Sequence, residues 1–246
     1  KRLIKSLLKS RFTFCLPIDF TKLINHQITL IFETFSLSND KIQFKMDIEF
    51  KISKNPVNYK KALQLLEKRV DEVKKGGREL VWFLEHPTTY TAGVRYKKEE
   101  ILDKSINVIK TNRGGKITLH NPGQKIVYFV IDLNRRKKNI RNLVREIEKI
   151  IIKFLKIYRI KSYADKKNIG IWVNRKKIAA IGIRVSRWVA YHGFSININN
   201  DLDDYKKIIP CGLDNEKITS FKKEGKKSFN IDKNLKDIFL KNLPKI

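Results

Sequence analysis

From Met46 onward the sequence predicts a mixed α/β fold (α/β or α+β), and three observations carry that prediction. Apolar residues recur at helical spacing in long segments. Between those segments stand short, continuous runs of β-branched, aromatic and aliphatic residues, the pattern of buried strands. Neither internal repeats nor flexible linkers interrupt the region, so residues 46–246 read as one domain.

The elements follow in order. Residues 59–75 place Ala62, Leu65, Leu66, Val70 and Val73 on one helical face, and Gly76-Gly77 ends the helix. "ELVWFL" (79–84) predicts a buried strand, and "KIVYFVIDL" (125–133) another. Ile140, Leu143, Val144, Ile147, Ile150, Ile151, Phe154 and Leu155 form one face of a long helix. "NIGIWVNRKKIAAIGIRV" (168–185) predicts a hairpin turning near Asn174-Arg175-Lys176. "WVAYHGFSININ" (188–199) is a further strand, and residues 231–243 predict a closing helix.

Composition narrows the function classes. Two cysteines, Cys15 and Cys211, supply neither a disulfide framework nor zinc-ligand spacing, so no metal is expected. A reducing, cytoplasmic setting is the simplest reading. The net charge of +29 invites a nucleic-acid partner. The lysines, however, are spread over helices and loops instead of forming a block interleaved with aromatics, so no nucleic acid is expected. No apolar run approaches the roughly 18 residues of a membrane span, so no membrane is expected either. "KRLIKSLLKSRFTFCLPIDF" (1–20) is basic and apolar without a clear small-residue cleavage site, and residues 1–45 read as an N-terminal extension upstream of a start at Met46. A targeting segment is the alternative.

Four stretches carry candidate chemistry. "IIPCGL" (208–213) sets Cys211 between a proline that fixes the backbone and a glycine that admits a close neighbour. A tight turn uses the same residues, and local sequence leaves nucleophile and buried hydrophobe open. "RGGKITLHNPGQ" (113–124) has paired glycines that expose backbone N–H groups, with Arg113, His120 and Gln124 around them. It lacks the spacing of a phosphate-binding loop, and two successive turns explain it equally well. In "KKIAAIGIRV" (176–185) Lys177 opens a nearly uncharged run, where burial favours a neutral amine that acts as a base. In "YHGFSINI" His192-Gly193 interrupts an apolar strand, and a satisfied core histidine is the plain alternative to a functional one.

Taken in series, "LEHPTTYTAG" (84–93), "RGGKITLHNPGQ", "KKIAAIGIRV", "HGFSININ" and "IIPCGL" resemble the lipoyl(octanoyl) transferase family, in order and approximate spacing. The resemblance spans about residues 79–220 and leaves residues 1–45 outside. It implies a mixed β-sheet flanked by helices, the fold shared with biotin- and lipoate-protein ligases. The implied activity is that of an acyltransferase, octanoyl-acyl-carrier-protein:protein N-octanoyltransferase, the first step of endogenous lipoyl cofactor assembly. The implied partners are octanoyl-acyl carrier protein, the lipoyl domains of 2-oxoacid dehydrogenases and the glycine cleavage H protein, with no cofactor. The family's acyl-accepting cysteine matches Cys211 and its paired lysine matches Lys177. Its substrate-contacting stretches match Arg113, Gly114, Gly115, Lys116, Ile117, Thr118, Leu119 and His120, then Ala180, Ile181 and Gly182, then Gly193, Phe194 and Ser195. Thr88 departs from a proline common in the family. The nearest alternative on the same fold is an ATP-dependent lipoate-protein ligase, which needs no acyl-cysteine.

Overall fold

The computed structural model describes residues 48–165, 168–212 and 217–245, apart from the side chains of Cys211 and Pro244. The N-terminal extension, Cys15 and the start at Met46 lie outside the described residues.

The long apolar runs become the centre of a seven-stranded sheet. Its strands are β1 (Ile48–Ile52), β2 (Glu79–Leu84), β6 (Gln124–Asp132), β7 (Tyr163–Ala164), β8 (Ile171–Val173), β9 (Lys176–Ser186) and β10 (Val189–Asn197). They lie in the order β1-β2-β6-β10-β9-β8-β7. β1 and β2 pair in parallel, while β2–β6, β6–β10, β10–β9, β9–β8 and β8–β7 are antiparallel. A second sheet holds β3 (Thr89–Ala92), β4 (Val108–Lys110) and β5 (Ile117–His120) in the order β4-β3-β5.

Alternation decides which residues face which helix. The helix α1 (Tyr59–Lys74) is capped by Asn58, whose side chain accepts from the Lys61 N–H. Its Ala62, Leu66, Val70 and Val73 pack on Leu80, Trp82 and Leu84 of β2 and on Ile126, Tyr128 and Val130 of β6. The intervening Val81, Phe83, Val127 and Phe129 point to the opposite face and are fully buried there. On that side Phe50 of β1 meets both Phe83 and Phe239 of α3 (Ile231–Asn242) edge to face, at 5.5 and 6.4 Å. The remaining helix α2 (Ile140–Ile157) packs with α3, and its Phe154 lies 5.9 Å from Phe221. The result is a mixed sheet with helices on both faces, as expected. No helix among the described residues is long and apolar enough to cross a membrane.

The predicted β8–β9 hairpin appears, and a second hairpin that the sequence reading did not include joins β9 to β10. The β8–β9 turn uses Asn174 and Arg175 at φ 47° and 64°. The β9–β10 turn uses Arg187 and Trp188 at 48° and 65°. These left-handed pairs suit a two-residue hairpin, because they follow the right-handed twist of the strands. Ile140, read as part of the buried face of α2, opens that helix and is 43% exposed. Leu133 leaves the strand for a short 3₁₀ turn. "RGGKITLHNPGQ", read as two successive turns, holds the strand β5 between them.

Candidate active site

A cavity opens where the small sheet meets β9 and β10. Its floor is Ala180, Ile181 and Gly182 of β9 with Gly193, Phe194 and Ser195 of β10, and its other wall is Arg113–Lys116 with Thr118 and His120. Two glycines make the room. Gly182 and Gly193 pair directly across the β9–β10 ladder, so no side chain fills that part of the sheet. A Cβ on Gly193 would overlap the Val127 carbonyl oxygen, and one on Gly182 would touch the Arg113 side chain and the Gly114 carbonyl at 3.4 Å. Gly114 itself lies so close to β9 that a Cβ there would sit 3.0 Å from the Ile183 oxygen. Close backbone approach, and not turn flexibility alone, explains these glycines.

Two residues expected at the substrate do not line the cavity. Ile117 and Leu119 alternate with Thr118 and His120 along β5, so they point the other way. They are fully buried in a cluster with Tyr90, Tyr205, Ile208 and Ile218. The other twelve expected substrate residues do line it. Four residues that sequence reasoning did not assign to the substrate join them: Tyr59, Ile126, Tyr128 and His192.

Three histidines in and behind the cavity wall are polar yet uncharged. His86 Nε2 lies 2.9 Å from the Tyr128 hydroxyl, and its Nδ1 is 2.6 Å from the Val57 carbonyl, to which it donates. His120 Nδ1 is 2.7 Å from Gln124 Oε1, and Tyr59 stacks on the His120 ring at 6.0 Å. His192 Nε2 is 2.8 Å from Asn112 Oδ1. Burial disfavours the imidazolium in all three histidines, lowering His86 to about 4 and both His120 and His192 to about 3. The Arg113 guanidinium adds to this at His120 and His192. Burial likewise raises the Tyr59 and Tyr128 hydroxyls, so both stay protonated. Arg113 is held by Thr91, which accepts from Nη2 through its carbonyl at 2.8 Å and its hydroxyl at 2.9 Å.

A smaller cavity adjoins the first and shares Thr118, Ala180 and Ser195 with it. Lys177 and Pro210 both line this second space, together with Asn197, Tyr205 and Ile218. Lys177 is only 6% exposed, its ammonium 5.5 Å from the centre of the Trp172 ring. Gly170 packs against the lysine so tightly that a Cβ there would overlap Lys177 Cε. Cys211 stands at the middle of the 3₁₀ turn Pro210–Gly212. The chain returns from that turn to β9, where Ile218 bridges Lys177 and the Thr219 N–H donates to the Lys177 carbonyl at 3.0 Å. The cysteine turn and Lys177, far apart in sequence, thus meet at one cavity. Among the described residues no three His, Cys, Asp or Glu side chains gather as a metal site.

Known proteins are similar to this chain in sequence and in fold. The chain is 46% identical over 188 residues to the octanoyltransferase of Anaplasma phagocytophilum (strain HZ), covering 74% of this chain and 90% of the relative. It is 41% identical over 202 residues to the octanoyltransferase of a Wolbachia of Brugia malayi, covering 79% and 98%. Among solved structures, a lipoate-protein ligase A bound with ATP matches with a TM-score of 0.65 at 14% identity, covering 79% of this chain and 85% of that one. A bi-partite lipoate protein ligase from Thermoplasma acidophilum matches at 0.63 and 14%, covering 80% and 84%. These structures share the fold. With the family model for the lipoyl protein ligase A/B catalytic domain matching residues 58–243, the chain belongs to that family.

Proposed function

We propose that this chain is an octanoyltransferase of protein lipoylation, with Cys211 as acyl carrier and Lys177 as its proton partner. The observation that carries this reading is the small cavity lined by both Lys177 and Pro210, continuous in its walls with the larger slot. Reaction centre and acyl site then adjoin. The slot presents apolar backbone-level surface along β9 and β10, and each methylene buried there contributes about 0.8 kcal/mol. The histidines beside it are neutral at physiological pH, so no imidazolium there opposes burial of an alkyl tail.

The chemistry is a two-step exchange. The Cys211 thiolate attacks the octanoyl thioester carbonyl, the carrier's C–S bond breaks, and the Lys177 ammonium protonates the departing carrier thiolate. The lysine amine of the acceptor domain next attacks the acyl-cysteine. An amide forms, Lys177 takes the surplus proton, and the Cys211 thiolate leaves. The first step trades one thioester for another and needs no ATP. The second, thioester to amide, runs downhill. The donor in this reading is octanoyl-acyl carrier protein. The acceptors are the lipoyl domains of 2-oxoacid dehydrogenases and the glycine cleavage H protein, met in the cytoplasm.

Intact-mass spectrometry after mixing with octanoyl-acyl carrier protein, without ATP, tests the proposal. The expected result is a mass increase of one octanoyl group that disappears in Cys211→Ser and transfers to an added lipoyl domain. An increase that survives Cys211→Ser, or an absolute requirement for ATP, overturns it. Lys177→Ala is expected to slow single-turnover acylation about 10²-fold with the fold intact.

A further inference from the structure

The cysteine turn is held from a side that the two-residue mechanism does not use. Glu100 ends a short 3₁₀ turn, Lys98–Glu100, more than a hundred positions before Cys211, and is only 5% exposed. It grips the turn twice. Its backbone carbonyl accepts the Ile209 N–H at 2.8 Å, at the entrance of the turn. Its carboxylate Oε1 lies 2.8 Å from Lys116 Nζ, while Oε2 accepts the Lys97 N–H at 3.3 Å. That Lys116 ammonium presses on the exit of the turn: a Cβ on Gly212, which sits at φ +74°, would lie 2.5 Å from Nζ. The approach is reinforced by Ile101 bridging Ile208 and by the Leu102 and Asp103 N–H groups, which both donate to the Lys207 carbonyl. Lys116 also lines the main cavity.

A carboxylate this buried is costly unless it is paired, and here its cationic partner stands against the residue that follows the nucleophile. We propose that Glu100 and Lys116 form a clamp that positions the Cys211 turn and sets the electrostatic balance around its thiol. Glu100 is a positioning residue, and Lys116 supplies the compensating charge beside Gly212. The inference rests on the reading that Cys211 accepts the acyl group. Among the described residues, further charged and titratable groups around the turn include Lys177 and Tyr205 across the small cavity, with Lys207 and Asp103 along the supporting segment. Glu100 carries a negative charge and Lys116 a positive one, so removing one or the other has effects of opposite sign on the thiol.

The test uses Cys15→Ser full-length chain, in which Cys211 is the remaining cysteine. Its alkylation by iodoacetamide is followed against pH, in parallel with acylation by a small octanoyl thioester. Lys116→Gln leaves a buried anion near the turn and is expected to raise the thiol's apparent pKa by about one unit. Glu100→Gln leaves the cation and is expected to lower it. The double variant is expected to return the profile toward wild type. All three are expected to lose about tenfold in kcat with little change in KM, because the turn is no longer held. A merely structural role cannot produce shifts of opposite sign. Unchanged profiles, or shifts in the same direction, overturn the proposal. Should Glu100→Gln not fold, the upward shift in Lys116→Gln, whose side chain is 37% exposed, decides alone. If wild type never carries octanoyl, the function assignment fails, while the alkylation profiles still decide the clamp.

Discussion

The three cavity histidines make a quantitative prediction about pH. The chain has four histidines, and His86, His120 and His192 are all buried beside the slot. Unfolded, each titrates near 6.5. Folded, they are lowered to about 4, 3 and 3, so between pH 7.5 and 5.5 only the unfolded state takes up their protons. Folded-state depression means that the stability is present above 6.5 and is lost as pH falls toward the folded values. At pH 5.5, one unit below the unfolded value, each histidine costs about 1.4 kcal/mol, or about 4 kcal/mol for the three. Carboxylates titrate mostly below this window, so it isolates the histidines. Urea unfolding at pH 7.5, 6.5 and 5.5, with fixed ionic strength, measures the loss. A stability flat to within about 1 kcal/mol over that range would refute the reasoning. So would titration near 6.5 of the imidazole resonances assigned to His86, His120 or His192 in the folded protein, because it would place protonated, solvated rings beside the slot.

Other substitutions separate structure from chemistry. Gly193→Ala drives a methyl group into the Val127 carbonyl and is expected to cost about 3 kcal/mol, seen as a drop in Tm of roughly 6–12 °C. Gly170→Ala is aimed at Lys177: its methyl overlaps Cε and also meets the Ala179 carbonyl, so the amine must move. Acylation is expected to slow about 10²-fold, beyond what any loss of folded protein accounts for in the same sample. Glu79→Gln tests the scaffold alone. The Glu79 carboxylate, 2% exposed, takes both Arg136 Nη atoms and the Asp132 N–H, and loss of its charge is expected to cost about 3 kcal/mol with acylation unchanged at low temperature.

The parts of this fold that sequence reveals are those whose periodicity runs long enough to be counted. α1 and α2 each repeat an apolar stripe over several turns, and β2 and β6 are buried on both faces, so they read as unbroken apolar runs. The small sheet escaped because its strands have three or four residues each, too few to establish a period of two. β5 is further masked by glycines on both sides. Had "ITLH" been read as a strand, its alternation would have set Thr118 and His120 apart from Ile117 and Leu119. Tyr59, Ile126 and Tyr128 were hidden for another reason. Each sits inside an element whose own pattern explains it, as the first residue of a helix or as members of an apolar strand. Only tertiary packing shows that their side chains close one end of the slot. Glu100 gave no local signal at all, since its role depends on a loop that returns more than a hundred residues later.

The acyl slot and the reactive turn are mounted differently, and that difference has consequences. Along the slot floor Ala180, Ile181 and Gly182 of β9 pair with β10, and β10 pairs in turn with β6, while β8 meets β9 only before the floor, at Lys176–Ala179. Spreading β9 from β10, or β10 from β6, means breaking ladder hydrogen bonds, so the floor is held by the same bonds that stabilise the sheet. Among the described residues the cysteine turn has no ladder of its own. It is tethered by the Ile209 and Thr219 backbone bonds, the Ile101–Ile208 bridge and the Glu100–Lys116 pair. A few contacts of this kind are altered at lower cost than a central strand. Under the proposed function, acyl-chain selection would reside in the sheet, while the nucleophile would stand where small displacements are cheap. An acceptor must reach an acyl-cysteine that its donor has just loaded, and a turn held by few, separable contacts permits that exchange without disturbing the bound tail.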